Sequence, residues 1–145
     1  HLLTHEHWDK SQFQYQLLLT HPLPLDQRAI ALNNLASIHI VKKEYKLAVT
    51  QAKQAIEITN TISGFFDTVG WALTLSGETE EGLSYLRQAY SMSSSDTEIN
   101  YHLAYTLAKL ERKAEAIEYL EFIAMAPERF KGVKQAKILL LELIK

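Results

Sequence analysis

Residues Ala36, Gly70 and Ala104 are spaced 34 apart, and so are Ala48, Gly82 and Ala116. Similar side chains recur around them at the same interval: Leu35, Val69 and Leu103, then His39, Leu73 and Leu107, then Ala52, Leu86 and Leu120. A hydrophobic skeleton repeated at this interval requires stacked copies of one supersecondary unit, because a single unit leaves an apolar face uncovered. The two small residues of each unit lie 12 positions apart, as in Ala36 and Ala48. That is about three helical turns with a break between, which sets one small residue on each arm of a helical hairpin. Two backbones can then approach closely while the larger Leu and Val side chains fill the layers above and below.

The local pattern agrees with an all-α chain. Apolar residues recur at helical spacing, for example Ile30, Leu32, Leu35 and Ile38, then Leu47, Ala48, Ala52, Ala55 and Ile56. Breaks are expected at His21-Pro22-Leu23-Pro24, Lys43-Glu44, Thr59 to Ser63, Ser76-Gly77, Ser93-Ser94-Ser95 and Ala126-Pro127. Asp26 reads as a helix cap, Ser95 with Glu98 as a capping box, and Pro127 as a first-turn residue. The expectation is about eight short antiparallel helices without strands.

Composition narrows the function classes. The 145 residues carry a formal charge of -2, which gives no clustered basic face for nucleic acid. There is no Cys, hence neither a disulfide framework nor a thiolate metal site. The most apolar segment, ILLLELI at 138–144, is far shorter than the roughly 20 residues a membrane span needs. The chain starts HLLTHEHW, with neither Met nor the basic start and apolar run of a secretion signal, and is expected to be a piece of a longer protein.

The period and the Leu-Ala, Val-Gly and Leu-Ala pairs at 35–36, 69–70 and 103–104 resemble the tetratricopeptide repeat, a 34-residue helix-turn-helix unit. Its A-x3-F element corresponds to Ala48/Ala52, Gly82/Leu86 and Ala116/Leu120. The resemblance implies a right-handed α-α superhelix in a single domain over 1–145. It divides the chain into repeats at 29–62, 63–96 and 97–130, a second helix of an incomplete repeat at 7–21, and a C-terminal capping helix at 131–145. The opening aromatic of the signature survives only as Phe66, and its closing Pro is missing from the first two repeats. The order ALNNLA, DTVGWALTLSGETEEGLSYLRQAY, EINYHLAYTLAKL and a final segment with Phe130, Ala136, Leu139 and Leu140 further resembles the C-terminal part of bacterial TPR-repeat lipoproteins of PEP-CTERM/exosortase exopolysaccharide systems. That likeness implies a periplasmic or envelope-associated place; without it the cytoplasm fits equally.

Chemistry offers little beyond binding. His1 and His5 are one helical turn apart with His7 close by, but without a supporting shell, and no metal site or cofactor is expected. His39 stands where the repeat signature has a buried Tyr and reads as a hydrogen-bonded core residue. Serines gather in the turn Ser91 to Ser95, and no Gly-rich phosphate loop is present, so no catalytic constellation is expected.

The resemblance implies that the first helix of each repeat lines a concave groove. Its candidate peptide-binding residues are Asn33, Asn34 and Ser37, then Asp67, Trp71 and Thr74, then Tyr101, His102, Tyr105 and Lys109. Trp8 is expected to lie outside the groove. Aromatic rings among amides suit a peptide site, since rings bury area at low entropic cost and amides bond an extended backbone. The alternative is that these rings only pack between repeats, leaving the chain a spacer and cap of a longer superhelix. A third reading is a homodimer through the first helix, which presents Phe13, Leu17 and Leu18. The basic pair of a chaperone-tail carboxylate clamp has no counterpart at Gly64 and Thr68 or at Glu98 and His102.

Overall fold

The computed structural model describes residues 2–127 and 132–145. Among them are eight α-helices and no strand: α1 Leu2–Leu19, α2 Leu25–Val41, α3 Tyr45–Ile58, α4 Ser63–Ser76, α5 Thr79–Met92, α6 Thr97–Lys109, α7 Lys113–Ala124 and α8 Val133–Leu143. Phe130 and the end of the expected third repeat lie outside the described residues. The first helix starts earlier than the 7–21 expected for it.

The helices sort into two layers. Helices α2, α4, α6 and α8 touch in series, whereas α3, α5 and α7 each pack against the inner helix before and the inner helix after. Among the described residues no close backbone approach joins α3 to α5 or α5 to α7. The inner row is therefore the shorter one, and the stack curves around it.

Each inner-outer hairpin turns in the same way. Glu44 N–H donates to His39 O at 2.8 Å, Glu78 N–H to Leu73 O at 2.9 Å and Arg112 N–H to Leu107 O at 2.9 Å. One residue before each donor the backbone is left-handed, with φ 64° at Lys43, 98° at Gly77 and 60° at Glu111. This is the helix-ending motif in which a left-handed residue lets the next N–H cap an orphan carbonyl. Only the middle turn has the glycine that the conformation favours. Breaks expected at Lys43 and Gly77 coincide with two of these turns; the third, at Glu111, has neither Gly nor Pro to announce it.

The small residues meet as their spacing requires. Ala36, Ala48, Ala104 and Ala116 are fully buried. In the middle hairpin the approach is closer still: a Cβ on Gly82 would sit 2.8 Å from Gly70 O and 2.5 Å from Thr74 Oγ1. Leu35, Val69 and Leu103 fill the inner side of this seam, and Ala52, Leu86 and Leu120 the outer side. At the C-terminal end Val133 and Ala136 of α8 join the core of Leu120 and Ile123, with Leu139, Leu140 and Leu143 partly buried beside them. His39 is buried, with Nδ1 2.6 Å from Gln51 Oε1, so the second helix supplies its partner.

Two caps differ from the sequence expectation. Asp96, not Ser95, caps α6, its Oδ1 accepting from Glu98 N–H at 2.9 Å and Ile99 N–H at 3.1 Å. A carboxylate at that place satisfies two orphan donors and complements the helix dipole better than a hydroxyl one residue earlier. Asp26 lies inside the first turn of α2, behind Pro24 at the cap position, and its carboxylate reaches only the N–H of Gln27. Pro127 adjoins 128–131, which lie outside the described residues, so its first-turn role is not assigned.

Candidate functional site

The inner helices frame a cavity of about 510 Å³. Helix α2 contributes Asn34, Ser37 and Val41, α4 contributes Asp67 and Trp71, and α6 contributes Glu98 and His102. Its remaining wall is α1, through His7, Trp8, Ser11 and Tyr15. Trp8 is thus part of the groove, contrary to the expectation that it lies outside. The reason is the way α1 docks. It runs antiparallel to α2, with Tyr15 Oη accepting from Asn34 Nδ2 at 3.2 Å and Lys42 Nζ bonded to Asp9 and to Gln12. At the other end Arg28 donates to the carbonyls of Leu19 and His21. A stripe of spacing three and four on α1 consequently faces Asn34 and Ser37. That stripe mixes charge, hydroxyl and ring, so no apolar periodicity marks it in the sequence.

An aromatic group forms the joint between α4 and α6. Trp71 stacks on His102 at 4.0 Å and 16°, meets Tyr105 edge-on at 5.0 Å and lies 6.2 Å from Tyr101. Trp71, Tyr101 and Tyr105 each remain partly exposed. The rings therefore both join two repeats and border the groove. His102 is nearly buried, and its Nδ1 lies 2.7 Å from Asp67 Oδ1. Burial, with the neighbouring Tyr105 and Glu142 charges adding to it, raises the Tyr101 phenol above its ordinary pKa.

The ten expected groove residues do not form one patch. Asn34, Ser37, Asp67, Trp71 and His102 line the main cavity. Tyr101 instead lines a smaller one of about 160 Å³ against Gly132 and Gln135. Lys109 places its ammonium 5.5 Å from the centre of the Tyr105 ring, a cation–π contact at the far end of α6. Asn33 turns Oδ1 inward, where it has no hydrogen-bond partner among the described residues. Thr74 is a correction: it is fully buried, its Oγ1 2.8 Å from Thr106 Oγ1, and Thr106 in turn donates to His102 O at 2.8 Å. A buried hydroxyl needs a partner, and the equivalent-helix neighbour supplies it, so this position joins repeats instead of facing the groove.

Residues 28–67 and 97–121 match tetratricopeptide-repeat family models. No curated protein matches the chain. Among solved structures it is similar to the Yersinia enterocolitica type III secretion chaperone SycD in complex with a peptide of the translocator YopD, at 20% identity over 78% of this chain and 89% of that one, TM-score 0.68. It is also similar to the TPR domain of Arabidopsis OM64, at 12% identity over 83% and 97%, TM-score 0.74. A third is the complex of the TPR2B domain of yeast Sti1 with pHsp70, at 13% identity over 81% and 97%, TM-score 0.73. The chain contains tetratricopeptide repeats, and its fold is a tetratricopeptide-repeat superhelix.

Proposed function

We propose that this chain is a protein-protein interaction module that takes up a peptide or protein segment in its concave groove. The observation that carries this reading is the cavity of about 510 Å³ in which two tryptophans, a tyrosine, an amide and carboxylates face one another. Such a wall gives a ligand flat apolar area and fixed hydrogen-bonding groups together. The SycD structure holds a translocator peptide and the Sti1 structure is a complex with pHsp70, which fits the same use of the fold. We read the chain as a binder, not an enzyme. Among the described residues no hydroxyl bonds the imidazole of the Asp67–His102 pair, and Ser37 Oγ donates to Asn33 O. A scaffolding role in exopolysaccharide export rests on the sequence resemblance alone.

Peptide display on the immobilised chain tests the reading. Enriched peptides should lose binding to Ser37→Trp, in which a bulky ring at an exposed position fills the cavity, and keep it with Lys53→Ala on the outer layer. Peptides that ignore Ser37→Trp, or a library without enrichment, refute groove binding.

A second reading is a spacer in a longer solenoid. The observation favouring it is apolar exposure at both ends, with Phe13 and Leu17 on α1 and Leu141 and Ile144 at α8. Self-association through α1 would use the same surface, and a sedimentation measurement that finds monomers at high concentration excludes it.

A further inference from the structure

Glu98 and His102 stand one turn apart on α6, and Asp67 approaches them from α4. One ligating atom from each residue falls within 4.8 Å of the other two. The imidazole is held in place from two sides, by Asp67 at 2.7 Å from its Nδ1 and by the Trp71 face stacked at 4.0 Å. Glu98 is exposed, and among the described residues its carboxylate joins no ion pair or hydrogen bond. All three side chains border the main cavity, and among the described residues no Lys or Arg borders it with them. Two carboxylates therefore converge on an imidazole with no fixed cation among the described residues to offset them.

We propose that Asp67, Glu98 and His102 bind a divalent transition-metal ion of the zinc class at the floor of the groove. One nitrogen and two carboxylate oxygens form a borderline donor set that suits zinc better than magnesium or calcium, which prefer oxygen alone. Ligand bonds of about 2.0–2.2 Å at tetrahedral angles set donor atoms roughly 3.3–3.6 Å from one another. The Asp67–His102 pair, at 2.7 Å, opens slightly to admit the ion, and Glu98 closes the set by a change of rotamer. The imidazole binds through Nδ1 and carries its proton on Nε2. Three protein ligands leave an open position toward the cavity, filled by water. The site escapes a linear reading because its ligands come from two repeats, Asp67 and His102 being 35 positions apart.

The test is calorimetric titration of the full chain with zinc chloride after chelator treatment. The same titration is run on Glu98→Gln, on Asp67→Asn and on a variant with His1 and His5 both changed to Ala. In a Trp8→Phe background, cobalt should quench Trp71, whose ring lies against the ligand. The expected result is one ion per chain at micromolar zinc, an affinity loss of about tenfold or more in each carboxylate variant, and no change in the variant lacking His1 and His5. Glu98 is exposed, so its substitution leaves folding intact. No zinc uptake, uptake indifferent to both carboxylate changes, or uptake lost with the N-terminal histidines overturns the proposal.

Discussion

The α4–α5 hairpin and the hairpins on either side of it solve the same problem with different residues. The flanking seams close on Ala36 with Ala48 and on Ala104 with Ala116, each fully buried. The middle seam closes on Gly70 with Gly82, and there a Cβ on either residue would fall within 2.9 Å of the other's carbonyl oxygen. The middle turn also has Gly77 at the left-handed position that Lys43 and Glu111 occupy elsewhere. Glycine costs a helix about 1 kcal/mol against alanine, so its use twice in one seam is a loss that closer burial must offset. Equivalent positions in a repeat are thus equivalent in topology and not in tolerance.

The largest expected effect follows from that difference. Gly82→Ala should destabilise the chain by about 1–3 kcal/mol, since the added Cβ meets backbone, which cannot rotate away. Urea denaturation measures it. A stabilisation of the size that helix propensity alone predicts would show that the middle seam is looser than a 2.8 Å approach of Cβ to Gly70 O implies. In the third hairpin the matching test is Ala104→Leu, expected to cost a similar 1–3 kcal/mol, roughly, by overfilling a seam that already holds a methyl group.

The turns provide a smaller contrast. Gly77→Ala should cost about 1–2 kcal/mol, the penalty of a side chain in the left-handed region. Glu111→Gly should gain up to about 1 kcal/mol by removing the same penalty, less the entropy glycine adds to the unfolded chain. Equal and opposite shifts in the thermal midpoint would show the turns to be interchangeable; a loss in both would show that Glu111 contributes contacts of its own.

The smallest effect concerns the outer joints. Lys53–Glu81 at 3.4 Å and Arg87–Glu115 at 3.0 Å are the same ion pair one repeat apart. The hydrogen bond from Arg87, with Arg112 second, holds the Glu115 carboxyl below its ordinary pKa. A lowered folded-state pKa contributes stability above the unfolded value and loses it as pH falls through the folded one. Glu115→Gln should therefore flatten the acid limb of the stability profile slightly, since exposed pairs contribute little. An unchanged acid limb would mean that the pair contributes nothing in solution.

Much of the fold is legible in the sequence because small residues at fixed spacing constrain two backbones at once. Ala36, Gly70 and Ala104 announce the seams without any help from the loops. The groove is less legible, for two separate physical reasons. Position counting places Thr74 in the groove, but a hydroxyl that can pair with Thr106 is drawn into the joint. Trp8 belongs to the groove through an α1–α2 docking held by Lys42, Asp9 and Gln12, contacts between residues some thirty positions apart.

The contact order of the layers has a mechanical consequence. Inner helices touch one another along the concave side, while outer helices are joined to each other by the ion pairs Lys53–Glu81 and Arg87–Glu115, by the edge-on Tyr90–Tyr119 rings and by Lys53 over the Tyr85 ring. Each outer helix is wedged between two inner helices, as a stone is in an arch: curvature cannot change at one joint without unpacking an outer helix from an inner one, and sliding would unseat Thr74 from Thr106.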